Sequence, residues 1–307
     1  MSGNQDTQYV FICSASFSGS TLLDMLIGSH PACESLGELA LLPLDLSMNR
    51  PCCCGSRIRE CAFWSEVARK LDIDTEDNSC RFNMGYLRSR AGNPPLSRLR
   101  ARIEYGLSYY RYLYNLKVLN DRHSEFDEGI HNTFKIYDTV REFTGKQIVV
   151  DSSKHHTRAA ALYATRPGSV RIINLVRDGR GVFHSGMNKG YAKKRSLDSW
   201  LRHYTHAIPL LEKCVGRRHL LHVRYEDLAS HPRRTLAAIC QFLSISYDPK
   251  MIDFRATVHH NVNGNDMKYA SSSEIRINEA WKVHLSKADL QYFERKAGAM
   301  NRQLGYE

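Results

Sequence analysis

The sequence predicts an α/β protein: one domain with a central parallel sheet flanked by helices, carrying helical and loop insertions. Three observations predict it. Short apolar runs rich in β-formers recur at Tyr9–Ala15, Gln147–Val150, Val170–Val176 and His219–Arg224. Each is followed by a segment of helical periodicity, and strands alternating with helices pack as a parallel sheet covered on both faces. No internal repeat and no linker separates two cores, so residues 1–307 read as a single domain with an insertion over about 48–130.

Element by element, YVFICSA reads as a strand, a Ser/Gly turn follows, and TLLDMLIGSH reads as a helix. Residues 48–96 hold a Cys-rich piece and Pro94-Pro95, which predicts an irregular insertion with a helix near 63–71. Residues 97–119 carry a Tyr/Leu stripe at helical spacing, expected to pack into the core. A helix over 133–143 ends at Gly145, a C-cap. After QIVV and VRIINLV come helices at 157–165 and beyond Arg-Asp-Gly-Arg-Gly. Helices at 196–215 and 232–243 flank HLLHVR, residues 259–276 form an Asn/Gly/Ser-rich loop, and a last amphipathic helix covers 286–303.

Composition narrows the classes. The chain has 307 residues, 42% of them hydrophobic, enough for a sizeable core. The longest mostly apolar stretch, Leu36 to Leu46, carries Glu38 and Asp45 and is too short to span a bilayer. The start of the chain has neither a basic n-region nor an apolar h-region, which predicts a cytoplasmic protein. Nine cysteines, an odd number, are then expected mostly as reduced thiols. The net charge of +11 points to an anionic partner. Nucleic acid is set aside, because no helix-turn-helix, zinc-finger or RNP pattern accompanies the charge.

The segment Ser14-Ala-Ser-Phe-Ser-Gly-Ser-Thr21 lies between the first strand and its helix. Unpaired N–H groups and the helix dipole attract an anion there. Gly19 lets the backbone approach a phosphate, and Ser16, Ser18, Ser20 and Thr21 bring hydroxyls. It is not a Walker A motif: Ser20 stands where the lysine belongs and Ser14 replaces the first glycine. Taken alone, the loop is also compatible with an ordinary Ser-rich turn.

Three segments read in order carry a sharper signal. SFSGSTLL at 16–23, LVRDGRGVFHS at 175–185 and RYEDL at 224–228 together resemble the sulfotransferases that use 3′-phosphoadenosine 5′-phosphosulfate (PAPS). The tail HHNVNGNDMKY…INEAWKVHLS…LGY at 259–306 resembles the C-terminal part of bacterial sulfotransferases. The resemblance runs from about residue 9 to the end and is weakest over 70–145. It implies a P-loop-like sulfotransferase fold, with PAPS as donor substrate and adenosine 3′,5′-bisphosphate (PAP) as product. It implies that Ser16 to Thr21 cradle the 5′-phosphosulfate, that Arg177 and Ser185, eight apart, bind the 3′-phosphate, and that Tyr225 and Lys268 complete the nucleotide site. Arg supplies a bidentate fork to phosphate and Ser a hydroxyl from the next helix. One departure matters: the family usually has Lys or Arg just before Ser-Gly-[ST]-Thr, and here that residue is Phe17.

Sulfonate transfer needs in-line positioning, a general base for the acceptor proton and a cation on the sulfonate; it requires no metal. Glu38, in ESLGEL at the end of the second strand, is the first candidate base, in line with the glutamate of tyrosine and glycosaminoglycan sulfotransferases. Lys154, following QIVV at the carboxyl end of the sheet, is the candidate cation and compensates for Phe17. His155 and His156 rival Glu38. Small-molecule sulfotransferases use a His two residues after a Lys, which favours His156, and histidine titrates near neutrality without help. The alternatives to a transferase are a P-loop kinase-like protein and an inactive PAP-binding homologue. The acceptor, a carbohydrate, tyrosine, lipid or small molecule, is left open; residues 40–130 and 186–200 are expected to build its pocket.

Cys52, Cys54 and Cys61 in PCCCGSRIRECAFW resemble an insertion of many bacterial sulfotransferases. Zinc would need Cys80 or a histidine as fourth ligand, and the spacing lacks C-x2-C pairs. A local disulfide of Cys54 with Cys61 is a second reading. Thiols packed beside Phe63 and Trp64 are the preferred one, so no metal ligand is assigned.

Overall fold

Strand β1 (Tyr9–Ser14) alternates its side chains as a strand must. Tyr9, Phe11 and Cys13 enter one core, and Val10 and Ile12 the other. In the computed structural model, which describes residues 7–75, 82–85, 95–114 and 124–307, five parallel strands are ordered β2-β3-β1-β4-β5. The others are β2 (Cys33–Ser35), β3 (Ile148–Lys154), β4 (Val170–Val176) and β5 (Leu220–Arg224). The chain runs from β1 outward to β2, returns to β3, and crosses β1 to reach β4. The strand order therefore reverses around β1, and the crevice beyond its carboxyl end is where such sheets bind ligands.

Helix α1 (Ser20–Gly28) leaves the end of β1, and short α2 (Leu42–Ser47) follows β2. Helices α3 (Ala62–Leu71), α4 (Pro95–Tyr114) and α5 (Glu125–Thr144) make up the insertion before β3. Then come α6 (His156–Thr165), α7 (Gly179–Asn188), α8 (Lys193–Arg202) and α9 (Ile208–Cys214), the last two joined by a π-helical turn at His203–Ala207. After β5 follow α10 (Tyr225–Ser230) and α11 (Pro232–Leu243). The chain ends in α12 (Trp281–His284), α13 (Lys287–Phe293) and α14 (Ala299–Gln303). One sheet face packs on α1 and α11 through Leu23, Leu26, Leu236 and Ile239, the other on α5 and α6 through Ile130, Phe134 and Leu162. A third cluster, around Phe183, Trp200 and Phe293, binds α7 and α8 to the C-terminal helices. Among the described residues, no helix is long and apolar enough to cross a membrane.

The expected alternation stands, with three corrections. Helix α5 begins eight residues earlier than the periodicity suggested, because Ser124 caps it by accepting from the Asp127 N–H at 3.1 Å. The stripe of α4 is not core throughout. Tyr105 and Tyr112 pack inward, but Leu99, Ile103, Leu107, Tyr110 and Tyr114 are 46–59% exposed, since only one side of the helix meets α5, α6 and α9. Glu38 does not end a strand: pairing of β2 stops at Ser35, and Gly37, at φ 73°, turns the chain.

Candidate active site

The loop after β1 is shaped by two left-handed residues, Phe17 at φ 64° and Gly19 at φ 90°. Such residues build concave runs of backbone N–H, and no side chain caps α1, whose first N–H groups are thereby left for an anion. Only glycine serves at 19. Besides its φ, a Cβ there would lie 2.5 Å from the Tyr225 ring, which presses directly on the loop.

Arg177 emerges from the end of β4 and is 6% exposed. It donates from Nη1 to the Phe17 carbonyl at 2.7 Å and from Nη2 to the Asn278 carbonyl at 2.8 Å. Its guanidinium lies 4.3 Å from the centre of the Tyr225 ring. Among the described residues it pairs with no carboxylate; the neighbouring Asp178 is taken by Arg180 at 2.7 Å. Burial lowers its pKa from the usual guanidinium value, so an incoming anion would restore a partner to a desolvated charge. Ser185, two turns along α7, donates its hydroxyl to the Gly181 carbonyl at 2.8 Å.

Lys154 ends β3 at φ 72°, with its Cα in register with Cys13 near the end of β1. That register carries it to the loop, and its ammonium forms an ion pair with Glu38. Glu38 is held from behind, its N–H donating to the Val262 carbonyl at 3.0 Å. Thus a carboxylate and an ammonium 116 residues apart in sequence meet at the carboxyl end of the sheet.

These groups share a single cavity of about 1080 Å³. Ser16, Phe17, Gly19, Ser20, Thr21, Glu38, Lys154, Arg177, Ser185 and Tyr225 all line it. Its charged lining is six cations (Arg50, Lys154, Arg177, Lys189, Arg255, Arg276) against three acids (Glu38, Asp266, Glu274), a balance suited to an anionic ligand.

Four sequence candidates do not line it. Ser18 is 1% exposed, buried beneath the loop. Lys268 is turned inward, its ammonium donating to the Asn261 and Asn263 carbonyls, and burial lowers its pKa. His156 sits under α4 with the Tyr109 ring against it at 5.7 Å, and burial pushes its pKa down to about 4 with help from His206. His155 accompanies it, 3.1 Å from the Tyr105 hydroxyl.

The cavity also holds residues that sequence reasoning missed: Arg50, Arg255, Arg276, Asn263, Asn265 and Asn278. For Asn263 and Asn265 the signal was the Asn-x-Asn-Gly-Asn run at 261–265. Asn263 (φ 51°) and Gly264 (φ 91°) form a second left-handed loop, and the Asn265 N–H donates to Thr21 Oγ1 at 3.1 Å. Of the loop expected to build the acceptor pocket, Asn188, Lys189 and Tyr191 line the cavity. Tyr191 packs against Phe17 at 5.9 Å.

A parallel sheet with an anion-receptive loop at its reversal point, opening on a cationic cavity, defines an α/β protein with a cavity suited to an anionic ligand. Residues 74–249 match the profile described as the sulfotransferase family, more than half of the chain, and the chain belongs to that family. The match includes Arg177, Ser185 and Tyr225 but not the loop after β1. The fold is similar to that of the sulfotransferase domain of the Synechococcus PCC 7002 olefin synthase, at 19% identity and a TM-score of 0.56, over 99% of this chain and 97% of that one. It is also similar to a sulfotransferase domain from the curacin biosynthetic pathway, at 18% identity and a TM-score of 0.52, with 98% of each chain covered. A carbohydrate sulfotransferase 1 from Danio rerio is 30% identical over 91 residues, which make up 28% of this chain and 21% of that protein. The chain therefore spans about a fifth of the length of that curated relative.

Proposed function

We propose that the protein transfers a sulfonate group from PAPS to a hydroxyl or amine of an acceptor. The observation that carries this reading is the convergence of the loop, Arg177 and Ser185 on the cavity that also holds the Glu38–Lys154 pair. The loop and the start of α1 receive the 5′-phosphosulfate, and Arg177 with Ser185 receives the 3′-phosphate. The acceptor oxygen or nitrogen attacks sulfur in line. Its bond to sulfur forms as the bond from sulfur to the 5′-phosphate oxygen breaks, and PAP leaves. Glu38 takes the acceptor proton. Lys154 stands in for the cation that Phe17 displaces, stabilising charge on the sulfonate and the departing oxygen. Glu38 is preferred to His156 as base because it lines the cavity and His156 does not.

An acidic glycan is the acceptor class we put first. The support is the excess of cations in the lining and the stretch shared with a protein named as a carbohydrate sulfotransferase. Thermal unfolding with nucleotides tests the donor assignment, since a ligand of the folded state alone raises the melting temperature. PAP should raise it markedly and ATP, which lacks a 3′-phosphate, much less. Equal shifts would overturn the reading.

A further inference from the structure

Away from the cavity, the Cys-rich segment gathers a second set of chemical groups. Cys52, Cys54, Cys61 and His260 bring three sulfurs and a ring nitrogen together, all within 4.8 Å of one another. Cys61 Sγ lies 3.6 Å from Cys54 Sγ and 3.3 Å from His260 Nδ1. Zinc holds sulfur at about 2.3 Å and nitrogen at about 2.0–2.1 Å, so tetrahedral ligand atoms sit roughly 3.4–3.8 Å apart. The Cys54–Cys61 and Cys61–His260 pairs are already close to that spacing, and every pair lies within 4.8 Å. The cluster is too wide for the Cys54–Cys61 disulfide, whose sulfurs would lie about 2.05 Å apart, and both thiols are free here.

The surrounding backbone is built to aim these groups inward. Cys52 opens, and Cys54 lies within, a tight turn closed by Gly55 N–H to the Cys52 carbonyl at 3.0 Å and Cys52 N–H to the Ser56 carbonyl at 2.8 Å, with Gly55 at φ 95°. Cys61 stands at the N-terminus of α3. His260 arrives from 199 residues away. The Trp64 indole donates to its carbonyl at 2.7 Å, and Phe63 stacks on its ring at 4.6 Å and 6°. Apolar packing alone has no use for an imidazole nitrogen pointed at a thiol.

We propose that Cys52, Cys54, Cys61 and His260 bind one zinc ion in a closed structural site. Three thiols and an imidazole suit zinc among the common divalent metals, and four protein ligands leave no open position for catalysis. From sequence, plain thiols are preferred because the spacing lacks C-x2-C pairs. Cys80, a sequence candidate for the fourth ligand, lies outside the described residues. The ion would clip the insertion to the C-terminal segment across a long stretch of chain, where loop closure is entropically most expensive. The clip lies two residues from Val262, which accepts from the Glu38 N–H at 3.0 Å and donates to the Leu36 carbonyl at 3.0 Å. The metal thus fixes the backbone behind the proposed base without entering the reaction.

The test uses full-length protein purified without metal-affinity resin or chelator, reduced, incubated with zinc alone and desalted. Elemental analysis should find one zinc per chain. Cys61→Ser and His260→Ala should each lower it at least tenfold. His260→Cys, which restores a fourth donor, and Cys214→Ser, remote from the cluster, should keep it. If the losing variants fail to fold, cobalt added to metal-free wild type decides, through a thiolate-to-cobalt absorption that one equivalent of zinc abolishes. Wild type with less than a tenth of an equivalent, or zinc that survives Cys61→Ser, overturns the proposal. So does an intact mass two hydrogens light that reduction restores, which assigns the sulfurs to a disulfide.

Discussion

Replacing Arg177 with alanine separates the two ends of the proposed nucleotide. The guanidinium is nearly buried and already spans the Phe17 and Asn278 carbonyls at 2.7 and 2.8 Å. A 3′-phosphate at this point gains a charge-assisted fork in a desolvated setting. Its loss should weaken PAP by about 2–4 kcal/mol, or roughly 30- to 1000-fold. Ser185→Ala removes a neutral hydroxyl and should cost about 1 kcal/mol, near fivefold. Calorimetry with two ligands distinguishes gripping from bracing. Adenosine 5′-phosphosulfate lacks the 3′-phosphate, so the Arg177 variant should bind it almost as wild type does. Equal losses for both ligands would mean that Arg177 acts by holding the Phe17 carbonyl and the shape of the loop, and the phosphate assignment would fail.

Lys154→Ala should lower turnover more than PAP affinity, because PAP carries no sulfonate; steady-state rates set beside calorimetry check this, and parallel losses would reduce Lys154 to a binding role. Gly19→Ala puts a methyl 2.5 Å from the Tyr225 ring on a φ of 90°. It should cost about 1–2 kcal/mol in backbone strain alone and weaken PAP at least tenfold; unchanged melting and binding would refute the close approach. Burial pushes His203 down to about 3, its Nε2 donating to Asn174 Oδ1 at 2.8 Å. Unfolded, it titrates near 6.5, so below that pH the unfolded chain takes up a proton the folded one refuses. His203 should contribute a loss of up to about 1.4 kcal/mol of stability per unit as pH drops from about 6.5 toward 4. Urea titrations across that range should show His203→Asn flattening the slope; an identical slope in the variant would exclude this origin.

The alternation of strand and helix was legible because β1, β3 and β4 are continuous buried runs, and the loop was legible because it sits where one such strand meets its helix. Arg177 could be placed for the same reason: it is the first polar residue past a buried strand. What escaped depended on distant partners. Glu38 was placed on a strand, but only Val262, more than two hundred residues later, shows where pairing with β2 gives way to a turn. The inward turn of Lys268 is set by carbonyls of its own loop, and nothing in MKY signals it. His260 reaches the cysteines only because Trp64 and Phe63 hold it there. The start of α5 was a different failure, since Ser124 with Glu125, Asp127 and Glu128 is a capping signal local enough to read.

The most direct measurement is transfer from sulfur-labelled PAPS to a panel of acidic and neutral glycans, tyrosine peptides, lipids, phenols and amines, following PAP release and product mass. Wild type should show acceptor-dependent PAP release and a labelled product. Glu38→Gln should turn over at least a hundredfold more slowly with PAP affinity retained. Wild type that binds PAP yet labels nothing across the panel, or Glu38→Gln that turns over at the wild-type rate, would contradict the proposed function.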